Sequence, residues 1–144
     1  MTKEELSQLA SLRREIRELD EKIKAINARK GMLVTDKVQA SAKEFPYQET
    51  HVKIQGYRYE LDPKSKRQKR EKERLMKIRR QQASELEIKI TEYINTIKDS
   101  EIRRMLEYRY IECYTWEEIG RIFHCDRTTA EKKVSNYLKE HPGN

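Results

Sequence analysis

The sequence predicts a mainly α fold: a long N-terminal coiled-coil helix, a small β-hairpin in a connector, a second long helix and a C-terminal helix-turn-helix bundle. Three observations carry this reading. Apolar residues from Leu9 to Ile26 alternate three and four positions apart, Leu86, Ile90, Tyr93, Ile94 and Ile97 form one helical stripe, and Thr115 followed by Glu118 writes a capping box ahead of an apolar run. Of 144 residues, 35% are hydrophobic and 40% charged, which leaves little for one large compact core, so an elongated helical molecule is expected. Segments are expected at 1–30 (coiled-coil helix), 31–63 (connector), 64–98 (basic, then amphipathic helix) and 99–144 (helix-turn-helix unit).

The first helix is expected from Thr2 to Lys30, with Leu9, Ile16 and Ile23 at heptad position a and Leu12, Leu19 and Ile26 at d. That seam suits a parallel homodimer through residues 9–26, but Glu15 at g would then face Asp20 at e of the partner, a like-charge pair. Antiparallel packing on a helix of the same chain is the alternative. Gly31 closes the helix, and Met32 to Phe45 reads as a polar connector anchored by Leu33, Val34 and Val38. Thr50, Val52 and Ile54 alternate, Gln55-Gly56 offers a turn, and Tyr57, Tyr59 and Leu61 resume the alternation until Asp62-Pro63 stops it. These two runs are expected to pair as a hairpin, whose apolar face must cover a helix or a partner because an isolated hairpin is marginal.

The second long helix, from Lys64 to Ile97, begins with an unusual charge. Ten basic residues stand between Lys64 and Arg80 against Glu71 and Glu73, a local excess of +8 in a chain of net charge +7. From Asp99 to Asn144 there are eight basic and nine acidic residues. If the chain binds DNA, Lys66, Arg67, Lys69 and Arg70 are therefore candidate phosphate contacts supplying salt-sensitive, sequence-independent affinity. The bland alternative is a solvated helix face or charged linker. The later apolar stripe is expected to pack on the Ile102 to Tyr110 helix, completing a four-helix C-terminal unit.

In that unit Ser100 can cap a helix whose inward residues are Ile102, Met105, Leu106, Tyr110 and Ile111. A second helix starts at Trp116, with Trp116, Ile119, Ile122 and Phe123 facing the core and Gly120 permitting close approach. Asp126 is placed to cap a third, which turns Ala130, Val134, Tyr137 and Leu138 inward. Arg127, Thr128, Glu131, Lys132 and Ser135 are left outward. The second helix of such a motif lies in the DNA major groove with its first residues at base edges. Arg127 suits guanine and Glu131 the cytosine amino group, while Thr128 and Lys132 suit phosphate equally well. Amides at the helix start, at Thr115 and Trp116, are further candidate phosphate contacts.

The run Tyr114-Thr115-Trp116-Glu117-Glu118-Ile119-Gly120, then Ile122-Phe123, Cys125-Asp126-Arg127 and Thr129, resembles the promoter-reading helix-turn-helix of region four of the sigma-seventy family. It departs from that pattern at His124, where such turns often place Gly and a left-handed backbone is needed. Asp126 replaces the usual Ser cap and brings a negative charge towards DNA. The whole chain also resembles the ArpU- and RinA-like late transcription regulators of phages of Gram-positive hosts. The likeness is carried by the N-terminal helix, Gly31 to Val38, Ala40 to Tyr47, Val52 to Gly56 and the C-terminal unit. It implies a small cytoplasmic activator of phage genes.

No catalytic constellation is evident. His51, His124 and His141 have no Ser, Cys or carboxylate arrangement around them, and no glycine-rich phosphate loop occurs, so neither enzyme activity nor a cofactor is expected. Cys113 and Cys125 read as reduced thiols, and their spacing with His124 matches no zinc pattern. Without an apolar run of roughly 18 residues or a recognisable signal peptide, the expected place is the cytoplasm. Double-stranded DNA is the expected partner. Two other readings stay open: a non-enzymatic factor docking on host RNA polymerase or a phage protein, and a DNA-packaging recognition subunit.

Overall fold

The computed structural model describes residues 1–30, 33–41, 45–46, 49–57 and 60–142, the strands by their backbone. In chain order these form α1 (Lys3–Asn27), β1 (Leu33–Ser41), β2 (Glu49–Tyr57), α2 (Pro63–Thr96) and α3 (Ser100–Leu106). A π-helical turn (Glu107–Ile111), α4 (Trp116–Ile122) and α5 (Arg127–Glu140) follow, so the fold is mainly α. Two compact units result, one from Met1–Glu18 with Leu75–Asn144, the other from Leu19–Arg74. Each long helix contributes to both units. The 25 residues of α1 extend about 38 Å, more than one small core covers.

In the first unit, α1 opens with a reciprocal cap at Thr2: its N–H donates to Glu5 Oε2 at 2.7 Å, and Glu5 N–H donates to Thr2 Oγ1 at 3.2 Å. Leu6, Leu9 and Leu12 then enter one core with Ala83, Ile90 and Ile94 of α2 and Ile97 just beyond it. Ion pairs of Arg13 with Glu87 at 3.1 Å and of Glu15 with Arg79 at 2.8 Å run in opposite chain directions, so the two helices are antiparallel here. The same core holds Ile102, Met105, Leu106, Tyr110, Ile119, Ala130, Val134 and Leu138. The seam expected of α1 thus packs on a helix of its own chain. Leu19, Ile23 and Ile26 are likewise buried in the second unit.

Three local details differ from expectation. Asp99, not Ser100, caps α3, its Oδ1 accepting from the N–H of Glu101 at 2.8 Å and of Ile102 at 3.2 Å. The helix expected to reach Ile111 widens into the π turn, after which Cys113, at φ 61°, reverses the chain. Ile122 is 38% exposed, where an inward position was expected. The amphipathic stripe does pack with α3 as expected: Ile90 and Ile94 of α2, with Ile97 after it, share the core with Ile102, Met105 and Leu106.

The second unit contains an antiparallel hairpin, but not the expected one. β1 pairs with β2, Leu33 opposite Tyr57 and Ser41 opposite Glu49. Gln55 and Gly56 continue β2 opposite Thr35 and Val34 instead of turning the chain. Gln is a poor residue for the left-handed positions of a tight turn, and a longer partner was available in the supposed connector. Tyr59 lies outside the described residues, and Leu61 is buried ahead of α2. Pro63 begins α2, where its missing N–H costs nothing. Ser65 is buried there, and its Oγ accepts from Arg29 at 3.0 Å.

Candidate nucleic-acid interface

The turn between α4 and α5 is built by two sequence signals. Thr115 and Glu118 form the expected capping box: Glu118 N–H donates to Thr115 Oγ1 at 3.3 Å, and Thr115 N–H donates to Glu118 Oε2 at 2.7 Å. At the other end α4 closes in a Schellman motif. Cys125 N–H donates to the Gly120 carbonyl at 2.9 Å and His124 N–H to the Arg121 carbonyl at 3.4 Å. His124 adopts φ 52°, the left-handed conformation its position demanded. Asp126 stands at the start of α5 as expected, but its side chain makes no capping bond; its carbonyl accepts from Thr129 at 3.0 Å and Ala130 at 3.1 Å.

Buried Ala130, Val134 and Leu138 fix the rotation of α5 and so determine what faces outward. Arg127, Thr128 and Lys132 are exposed, whereas Glu131 and Ser135 are half-buried. Spacings of one, three and four residues keep all five on one side of the helix. Glu131 is not solitary: Lys3 of α1 lies 4.0 Å from its carboxylate. A groove beside this face is lined by Arg109, Thr115, Trp116, Glu117, Arg127 and Glu131. Arg109 lies over the Trp116 ring, 5.1 Å from its centroid, and donates to the Tyr114 carbonyl at 2.8 Å. Sequence spacing did not single out Arg109, whose place beside Arg127 depends on how the π turn packs.

At the start of α4, Thr115 is exposed and Trp116 half-buried. The Thr115 amide and hydroxyl are both engaged by the Glu118 carboxylate, which brings negative charge to the end where phosphate was expected. These bonds hold Glu118 below the usual carboxylate range, mainly through the Thr115 backbone N–H, so it stays charged near neutrality.

The basic stretch belongs to the second unit up to Arg74. Lys66, Arg67 and Arg70 are exposed and Lys69 is half-buried. Lys66 pairs with Glu60 at 3.4 Å and Lys69 with Glu73 at 3.8 Å, both weak contacts open to solvent on at least one side. Arg67 and Arg70 make no ion pair among the described residues. Cys113 is exposed and Cys125 half-buried, both free thiols.

No protein-family model, curated protein or solved structure matches this chain. No helix among the described residues is long and apolar enough to cross a membrane.

Proposed function

We propose that this chain is a sequence-specific DNA-binding transcriptional regulator of the phage type, a cytoplasmic activator without enzymatic activity or cofactor. Helix α5 enters the major groove, with Arg127, Thr128, Glu131, Lys132 and Ser135 as base-reading residues. The observation that carries this reading is the tight α4–α5 turn, closed at Gly120 and His124, which leaves Arg127, Thr128 and Lys132 exposed at the start of a helix anchored by three buried residues. The likeness to sigma region four and to phage late regulators supports the same function. Lys66, Arg67, Lys69 and Arg70 contribute a separate, sequence-independent attraction for duplex DNA.

One observation favours a second reading, a non-enzymatic factor docking on host RNA polymerase or a phage protein: the helix-turn-helix segment carries nine acidic residues against eight basic ones. Selection of bound fragments from phage and host genomic DNA tests the proposal. Enrichment of one motif beside promoters is expected; recovery of unenriched DNA contradicts sequence-specific regulation.

A further inference from the structure

The nearly neutral helix-turn-helix needs a source of phosphate attraction within its own compact unit. We propose that a cleft between α1 and the turn following the π segment is a DNA-backbone site, so that duplex phosphates are held by α1 as well as by α4 and α5. This rests on the DNA-binding reading and goes beyond it by assigning backbone contacts to Arg14, Arg17 and Arg109.

Arg13, Arg14, Arg17 and Arg109 line this cleft, and Glu112 is the one carboxylate among its lining residues. Two of the arginines are fixed in place. Arg13 pairs with Glu87 at 3.1 Å and donates to the Ile111 carbonyl and to Cys113 Sγ. Arg109 is held by the Tyr114 carbonyl and the Trp116 ring. The other two are uncommitted: Arg14 and Arg17 are exposed, and neither makes an ion pair among the described residues, although Glu18 lies one turn from Arg14.

Like charges three residues apart on a helix destabilise it. A bound anion offsets that cost, and a guanidinium fork matches phosphate geometry better than any other side chain does. Arg109 also lines the groove containing Trp116 and Arg127. The arginine cleft and the groove beside the reading face therefore share Arg109, and although Glu117 and Glu131 also line that groove, arginines spread over both suit a repeating phosphate backbone and not a single small anion. A mobile acidic protein segment would gain the same charges but has no use for the adjoining reading face.

The test is the full-length Arg14→Gln/Arg17→Gln variant, titrated with a preferred-site duplex and a random duplex over a range of salt, beside wild type and Arg127→Ala. Affinity for both duplexes should fall together, with their ratio kept and the slope of log affinity against log salt flatter by about 0.9 for each phosphate no longer neutralised. The Arg14→Lys/Arg17→Lys variant keeps the charge and should retain most of that slope, which separates phosphate attraction from a folding defect. Wild-type affinity and slope in the Gln variant overturn the site; if Arg127→Ala still loses discrimination, the reading helix stands without it. Failure of wild type to bind any duplex overturns both.

Discussion

A β-carbon on Gly120 would lie 2.6 Å from the Cys125 carbonyl oxygen and 3.2 Å from the Arg127 amide, so the turn closes directly against α4. Both neighbours are backbone atoms and cannot rotate away. Gly120→Ala should therefore destabilise the first unit by about 1–3 kcal/mol, as overpacking does. An unchanged unfolding midpoint in urea would show that the turn can relax.

The same turn stores strain one step later. His124 sits at φ 52° where glycine is the usual residue, and a left-handed conformation costs a side-chain-bearing residue about 1–2 kcal/mol. Glycine's greater unfolded-state entropy returns part of any gain, so His124→Gly should stabilise by roughly 0.5–1 kcal/mol. A lower midpoint would mean that the imidazole makes a compensating interaction.

Features that depend on neighbours in the chain were legible before the structure: the capping box at Thr115, the left-handed position at His124, and the inward faces of α3 and α5. Features that depend on distant partners were not. A heptad seam on α1 has the same spacing whether its partner is another copy or α2, and Leu6, outside the seam, gave no sign that it would be fully buried. Alternation marked Thr50 to Ile54 as strand, but its partner was hidden in a polar stretch with few apolar residues. The meeting of Arg14, Arg17 and Arg109 at one cleft joins residues too far apart in the chain for any spacing rule to find.

Among the described residues, Tyr93 carries a buried hydroxyl with no hydrogen-bond partner. Tyr93→Phe should raise stability near neutral pH by about 1 kcal/mol, the cost of an unmet buried polar group. Burial first, and then the neighbouring Tyr137 phenol, push the Tyr93 phenol above its ordinary value. Because the folded state holds that proton more tightly, its contribution is present below the unfolded value near pH 10 and is lost as pH rises through the folded value. The variant should lose stability less steeply above about pH 10, with Tyr110, also raised by burial, among the groups that supply the remaining slope. Identical alkaline profiles would show that Tyr93 does not titrate with unfolding.

The basic stretch of α2 should act on affinity without acting on selectivity. Replacing Lys66, Arg67, Lys69 and Arg70 by Gln should weaken specific and random duplex alike and flatten the salt dependence by about 0.9 for each phosphate released from these side chains. If affinity and slope are both unchanged, these side chains are a solvated face or serve another partner.

Reading of base edges by the first turns of α5 is the step on which the proposed function depends. Its most direct test is Arg127→Ala, measured by titration against the preferred duplex and a duplex altered at one base pair at a time. Arg127 is exposed and anchors nothing in the core, so folding should be unchanged. Affinity for the preferred duplex should fall by about 1–3 kcal/mol, with discrimination relaxed at a single base position. Equal loss on preferred and random DNA would make Arg127 a phosphate contact only, and no loss on either would contradict the placement of α5 in the groove.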